Sequence, residues 1–493
     1  MPNIKKKLKN IRPEIWLIFI LAFALFLRLH FFMGLGWEDD THYAGVANEI
    51  LKGRYYPSHV NEQRPLIIYP IAFFFKIFGI NEFSGAMFSL ICSLLSIILI
   101  YYFGKKFFSI ETGLLAAFIL SFFPLDVEYS TRIMGDVQVG FFTALSVFMF
   151  FLAESSKKKL FYFLAGTFTG LAYLVKLYGL LPLIFFFACF IYKIMKNKRI
   201  DFNFVYIIFG LFVILVIEGL FYYSKTKDFF FRFHKEFYFY TKKELLPYEF
   251  NINLEYYPSI MLSPNNRYFG LFYLFMVFGM MVLMFKRSEN TFLLILWWLS
   301  FFLYMQYGTM SYKEYIPINR WDRYLTVLSI PSILILSVFL SELMKRSIDK
   351  KIFSLIMLVL IFIPSLFLIE KNYRSHEASA TVVKLIYEFL KEEGLKKVYS
   401  DDLMIGHLRL YFNFQRDEYL RRIDWIKDCD ELKDSFVIIN ASRRWIEYKP
   451  FISSLYDCVI HPPPNWQLVK VIHYKTDFYP YKYLHPVIYY VPK

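Results

Sequence analysis

The chain has 493 residues, of which 57% are hydrophobic, 22% aromatic and only 20% charged, with 59 Phe and 39 Tyr. With a mean hydropathy of +0.40, this excludes a disordered chain and a lone small soluble domain, in which charge normally makes up about 25%. The formal charge of +15 does not point to nucleic acid, because the Lys clusters fall in short segments between apolar runs, where positive loops fix membrane topology.

The first apolar run, 14–34, follows Lys5, Lys6, Lys7, Lys9 and Arg12. It is too long for a signal h-region and has no small-residue cleavage site behind it, so it reads as a retained anchor with its N-terminus inside. At about 20 apolar residues per crossing, further spans are expected near 83–103, 111–124, 137–153, 160–176, 179–193, 203–222, 268–285, 291–307, 324–342 and 352–369. The total is about eleven. Parity then puts Lys105 and Lys106, Lys157, Lys158 and Lys159, the 193–199 stretch, Lys286 and Arg287, and the 345–351 stretch on the cytoplasmic side, in agreement with the positive-inside rule.

Two segments resist this simple alternation. The stretch 65–80 is apolar but short, with two prolines and Lys76, which fits an interfacial or re-entrant helix better than a crossing. The outer stretch 225–266 carries Lys225, Lys227, Arg232, Lys235, Lys242 and Lys243. Either it is long enough to escape the positive-inside rule, or those cations serve an anionic ligand.

After Glu370 the composition becomes mixed. A helix is expected over 377–393 and strands near 396–400, 435–440, 456–460, 467–474 and 487–491, which gives a small α/β domain. The expected organisation is a membrane domain over 1–370 and an extracytoplasmic domain over 371–493. Cys92 and Cys189 fall inside apolar spans as inert thiols, whereas Cys429 and Cys458 share the tail and can pair if it faces an oxidising compartment. No C-x-x-C spacing suggests zinc, and there is no internal repeat.

Charged groups beside membrane spans are costly to place and are the first functional candidates. The loop after the first span reads Trp37, Glu38, Asp39, Asp40, Thr41, His42, Tyr43, Ala44, three acids opening a helix-like stretch. A second outer acid cluster is Asp126, Glu128, Arg132 and Asp136. Each acid also has a plain reading as a helix cap. Taken together they supply either a general base with its orienting partner or ligands for a hard divalent cation. The same face carries Arg64, Lys176, Tyr178, Arg320, Asp322 and Arg323, which read singly as snorkelling residues and jointly as a phosphate or pyrophosphate site.

The segment WEDDTHYAGVANEILKGRYY, the stretch from QRPLIIYP to FILSFFP, YSTRIMGDVQVGFFTALSVFMFF and LAGTFTGLAYLVKLYGLLPLI together resemble the GT-C membrane glycosyltransferases, most nearly the protein O-mannosyltransferase and lipid A aminoarabinose transferase branch. The likeness covers about the first 195 residues in order, plus Arg323 and Tyr324. It implies a GT-C-like polytopic helical fold, a polyprenyl-phosphate sugar donor, an extracytoplasmic active site and inversion at the anomeric carbon. In the family's Asp-Glu-x-x-Tyr-Ala box, Asp39 takes the place of the proposed base and Asp40 replaces the usual Glu. Asp136 matches the second acid, as organiser of the base or binder of the acceptor, and Lys176 and Tyr178 match a Lys-Tyr pair. Arg64, Lys176 and Arg323 are the expected phosphate contacts, and Asp40, Tyr43, Arg132, Tyr178 and Arg320 complete the expected substrate contacts.

Several family features are missing. There is no WWDYG-like box and no MIR repeat, and Glu62 stands one place out of register with the acid of the aminoarabinose transferase metal site. The acceptor implied is a lipid, protein or glycan hydroxyl. The rival readings are a flippase for lipid-linked sugars, which would set charge along a central route where spans 137–153 and 324–340 have none, and a non-catalytic receptor, which leaves the acid box unexplained.

Overall fold

The computed structural model describes residues 12–36, 39–241, 255–286, 288–309, 315, 317–394, 396–426, 428–439, 457–475, 483–484 and 486–492. Trp37, Glu38, Lys242, Lys243, Arg287 and the basic residues before Arg12 lie outside them. In chain order the helices are α1 (Pro13–His30), α2 (Asp40–Leu51), α3 (Pro65–Phe78), α4 (Glu82–Phe107), α5 (Ile110–Ser121), α6 (Pro124–Ser130), α7 (Asp136–Ser156), α8 (Lys159–Val175), α9 (Leu181–Asn197), α10 (Val205–Thr226), α11 (Phe231–Thr241), α12 (Tyr256–Leu262), α13 (Phe272–Met284), α14 (Glu289–Tyr307), α15 (Thr326–Met344) and α16 (Ile348–Glu392). The tail adds α17 (Asp402–Tyr411), α18 (Asp457–Ile460) and strands β1 (Lys397–Ser400), β2 (Leu420–Arg422), β3 (Ser435–Ile439), β4 (Gln467–Val471), β5 (Tyr474–Lys475), β6 (Tyr483–Leu484) and β7 (Val487–Val491).

This is an integral membrane protein. Each of the eleven expected spans coincides with a helix. Among the described residues, seven helices are long and apolar enough to cross a membrane singly, and eight if α5 and α6, bent 59° apart, form one span. The remaining expected spans are the shorter apolar helices α8 and α13, and α14, which Asn290, Ser300 and Gln306 make more polar. The 65–80 stretch is the helix α3, of 14 residues.

Chain contacts define two compact units, one of Met1–Phe32, Tyr56–Pro70 and Met87–Glu370, the other of Met33–Tyr55, Ile71–Ala86 and Lys371–Lys493. In the first, α8 packs on both α7 and α10. Gly166 of α8 and Gly210 of α10 allow this approach, because a Cβ on Gly166 would overlap the Ile207 carbonyl and one on Gly210 the Phe163 carbonyl. Small residues let helices that gain nothing from hydrophobicity in lipid reach van der Waals contact. Helix α15 is buried along almost its whole length, between α5, α7, α13 and α14.

A buried ion pair ties α1 into the same unit. The fully buried Arg28 donates to Ser93 Oγ (2.8 Å), the Ala24 and Ser121 carbonyls (3.0 and 2.9 Å) and Asp126 Oδ1 (2.6 Å). Asp126, grouped in the sequence with the candidate acids, is therefore committed to a structural partner. Asp126→Ala is expected to cost about 3–5 kcal/mol, the usual result of stranding one member of a buried pair, read as a lowered unfolding temperature of the detergent-purified protein. The donor KM should stay unchanged.

In the second unit a five-stranded sheet runs in the order β2-β1-β3-β7-β4, with β1 parallel to β2 and β3, and β7 antiparallel to β3 and β4. Period-two alternation splits its core between two faces. Phe436 and Ile438 pack with Val383, Ile386, Met404 and Leu408, while Val437 packs with Tyr399, Ile423 and Trp466. Cys429 and Cys458 are joined by a disulfide.

Two sequence expectations change here. The helix foreseen over 377–393 and the last span are one helix, α16, of 45 residues. The strand expected at 456–460 is the short helix α18 over its described residues. The strand β2 was not foreseen.

Candidate active site

Asp136 is the first residue of α7 and fully buried, and no side chain caps that helix. Its carboxylate turns instead to the far end of α8. Oδ1 accepts from Lys176 Nζ at 2.7 Å and from the Tyr178 hydroxyl at 3.0 Å, while Oδ2 is buried and has no hydrogen-bond partner among the described residues. Lys176 reaches Asp136 because α8 ends at Val175 and residue 176 is extended (φ −150°, ψ 151°) before a 3-10 turn over Leu177–Leu180. That turn carries Tyr178, and Gly179 permits it, since a Cβ there would overlap the backbone of Ala172.

Aromatic faces and further cations surround the pair. Lys176 Nζ lies 5.8 Å from the ring centres of both Tyr178 and Tyr324, which are 5.0 Å from each other, and the Arg323 guanidinium lies 5.7 Å from the Tyr324 ring. Arg323 and Arg64 are close enough to act on the charge of Lys176. Five of the residues singled out in the sequence, Arg64, Asp136, Lys176, Tyr178 and Arg323, thus share one neighbourhood.

Arg132 and Arg320, also expected to touch substrate, are held by other groups. Arg132 lies 3.6 Å from Glu128 Oε1 and stacks on Tyr129, and Arg320 donates to the Gln306 carbonyl at 2.6 Å. Asp39, Asp40 and Tyr43 belong to the second unit. Asp39 occupies the N-cap position of α2 but is itself in a helical conformation (φ −74°, ψ −7°) and makes no capping hydrogen bond with its side chain. It is half-buried, and Asp40 and Tyr43 are fully buried. For neither Asp39 nor Asp136 does helix capping account for the carboxylate.

Other candidates turn out to be structural. Glu62 Oε2 accepts from Ser58 N (2.6 Å), Ser58 Oγ (2.7 Å) and His59 N (2.9 Å), closing a capping box with His59. Arg232, one of the cations of the 225–266 stretch, is buried between Glu218 (2.9 Å) and Glu236 (3.0 Å) and stacks at 4.1 Å on Tyr173. Among the described residues no three His, Cys, Asp or Glu side chains are grouped so that they could hold a metal ion.

The sequence reading missed the partners that complete the second acid cluster. Glu128 Oε1 accepts from Arg267 Nη2 at 2.9 Å and from the Tyr268 hydroxyl at 3.1 Å, with the Arg267 guanidinium 4.4 Å from the Tyr268 ring. An Arg-Tyr pair just ahead of an apolar run, like Arg323 and Tyr324, was the available signal.

Residues 62–222 match the model of the family described as dolichyl-phosphate-mannose-protein mannosyltransferase. No curated protein matches the chain. Among solved structures, ArnT from Cupriavidus metallidurans bound to undecaprenyl phosphate superposes with a TM-score of 0.60 at 11% identity, over 96% of this chain and 97% of that one. The oligosaccharyltransferase of Archaeoglobus fulgidus, in complex with zinc and sulfate, gives 0.58 at 12% identity, over 97% and 73%. The same organism's AglB, in complex with an inhibitory peptide and a dolichol-phosphate, gives 0.56 at 12%, over 87% and 70%. The fold is therefore that of the GT-C membrane glycosyltransferases. The family match over 62–222 falls within the stretch whose sequence resembles that superfamily and covers about a third of the chain.

Proposed function

We propose that the protein is an inverting glycosyltransferase that moves a sugar from a polyprenyl-phosphate donor to an acceptor hydroxyl on the outer face of the membrane. The observation that carries this reading is the buried pair of Lys176 and Asp136, braced by Tyr178, with Arg64 and Arg323 near enough to Lys176 to act on its charge. Fixed cations at such a site suit a phosphate leaving group, which needs electrostatic stabilisation more than a strong acid. The similar structures of ArnT and AglB, which hold undecaprenyl phosphate and a dolichol-phosphate, support a lipid-phosphate donor. The disulfide in the tail supports an oxidising, extracytoplasmic side for it.

In this reading Asp39 takes the proton of the acceptor hydroxyl as its oxygen attacks the anomeric carbon. The bond from that carbon to the phosphate oxygen breaks, and the electron pair leaves on the polyprenyl phosphate, held by Lys176, Arg64 and Arg323. One in-line displacement inverts the anomeric centre. The test is to incubate the purified protein with a panel of polyprenyl-phosphate sugars and follow donor consumption by mass spectrometry. Release of polyprenyl phosphate from at least one member is expected, and inertness to all of them alongside binding of none would overturn the reading.

A further inference from the structure

The second unit unites segments remote in sequence, among them the helix that opens with the acid box and the tail. Helix α17 of the tail packs on α2. The contact is tightest at Gly406, where a Cβ would stand 2.7 Å from Thr41 Oγ1 and 2.8 Å from Thr41 Cβ. The Phe414 ring faces Gly45, and Lys52 Nζ donates to the Phe414 carbonyl at 3.5 Å. Glu82 links the segment ahead of the acids to the tail as well. Glu82 Oε1 accepts from Leu35 N at 3.2 Å and from the Tyr411 hydroxyl at 3.1 Å, and Lys384 Nζ lies 3.4 Å from Glu82 Oε2. Burial and the Glu82 carboxylate raise the Tyr411 phenol far above its ordinary value, so it remains a donor.

We propose that the tail is the positioning element of the acid-bearing helix: α17, through Gly406 and Tyr411, fixes where the Asp39 carboxylate stands. The proposal rests on the reading of Asp39 as the base. Gly406 and Tyr411 are positioning residues, since neither meets the reacting atoms in that reading. A side chain at 406 cannot be absorbed by a flexible tip, because the atoms it meets include Thr41 Cβ, attached to the first turn of α2 two residues after Asp39. The helix start must move, and displacements of about 1 Å at a reacting group are costly to rate. The α17 side chains of Met404, Ile405, Leu408 and Leu410 are themselves buried, so this face of the tail is committed to the fold rather than left open for an acceptor.

In the full-length protein, Gly406→Ala is expected to lower kcat about tenfold or more while the donor KM changes less than about twofold. Hydrogen exchange of the 40–51 amides should accelerate, while 435–439 and 487–491 keep their protection. Thr41→Gly removes all three atoms that meet the new methyl, and combined with Gly406→Ala it should return kcat to within about twofold of the Thr41→Gly chain. Tyr411→Phe, a change of one hydroxyl, should act in the same direction and more weakly. Unchanged exchange over 40–51, unchanged kcat, or a loss that Thr41→Gly does not rescue would each overturn the proposal. If Asp39→Asn turns over normally the base assignment falls, and exchange and rescue still decide whether α17 sets the position of α2.

Discussion

Asp39→Asn is expected to lower sugar transfer by about 10²- to 10⁴-fold, the range a positioned general base contributes, with little change in folding or donor affinity. Folding should survive because the Asp39 side chain makes no capping hydrogen bond to α2, and Asn keeps its shape and its acceptor oxygen. Donor affinity should survive because the proposed phosphate contacts, Lys176, Arg64 and Arg323, are supplied by other parts of the chain. The loss should therefore fall on kcat and leave the donor KM in place, the pattern of an interaction made only in the transition state. Product formation followed by mass spectrometry, with the unfolding temperature measured on the same preparation, checks both halves. Wild-type turnover would remove Asp39 as the base, and a collapse in stability would show that the carboxylate holds the fold.

The sequence revealed most about elements whose physics is local. A run of about 20 apolar residues has few ways to exist other than as a membrane helix, so every expected span coincides with a helix. The tail strands at 397–400, 435–439 and 487–491 were legible from alternation and β-branched composition. The errors there came from short segments. Asp457–Ile460 has an apolar pair that suits either state, and Leu420–Arg422 is three residues with two arginines. The unbroken α16 was hidden by its polar stretch around Glu370–Glu377, yet no Gly or Pro interrupts the chain between Pro364 and Gly394, so nothing there ends a helix.

The site was legible in part for the same reason. Arg64, Asp136, Lys176, Tyr178 and Arg323 were named from charge beside spans, and their neighbourhood follows because helix ends on one face meet. Pairings across the chain were not legible. Arg28 finds Asp126 at a separation of 98 residues, and Arg267 finds Glu128 at 139. A lone arginine in an apolar run is itself a signal, but it does not name its partner. The union of 33–55 with the tail had no signal in composition at all.

Lys176 and Asp136 give the second large effect, and separating structure from function there needs two steps. Both side chains are buried, at 3% and 0% exposure. Lys176→Ala leaves the Asp136 carboxylate with Tyr178 as its hydrogen-bond donor, and Asp136→Ala leaves the ammonium near Arg64 and Arg323 with its carboxylate gone. Each should cost about 3–5 kcal/mol of stability, so inactivity of either alone proves little. The double variant Lys176→Met/Asp136→Leu replaces the pair by apolar groups of similar volume and is expected to recover most of that stability, as such replacements often do. It should still lose about 10²-fold or more in kcat/KM, because the phosphate no longer finds the cation that stabilises it as it departs. Thermal unfolding and turnover measured on the three variants decide the matter. A double variant that is both stable and active would mean that the pair only closes the helix ends, and the phosphate would have to be sought at Arg64 and Arg323 without Lys176.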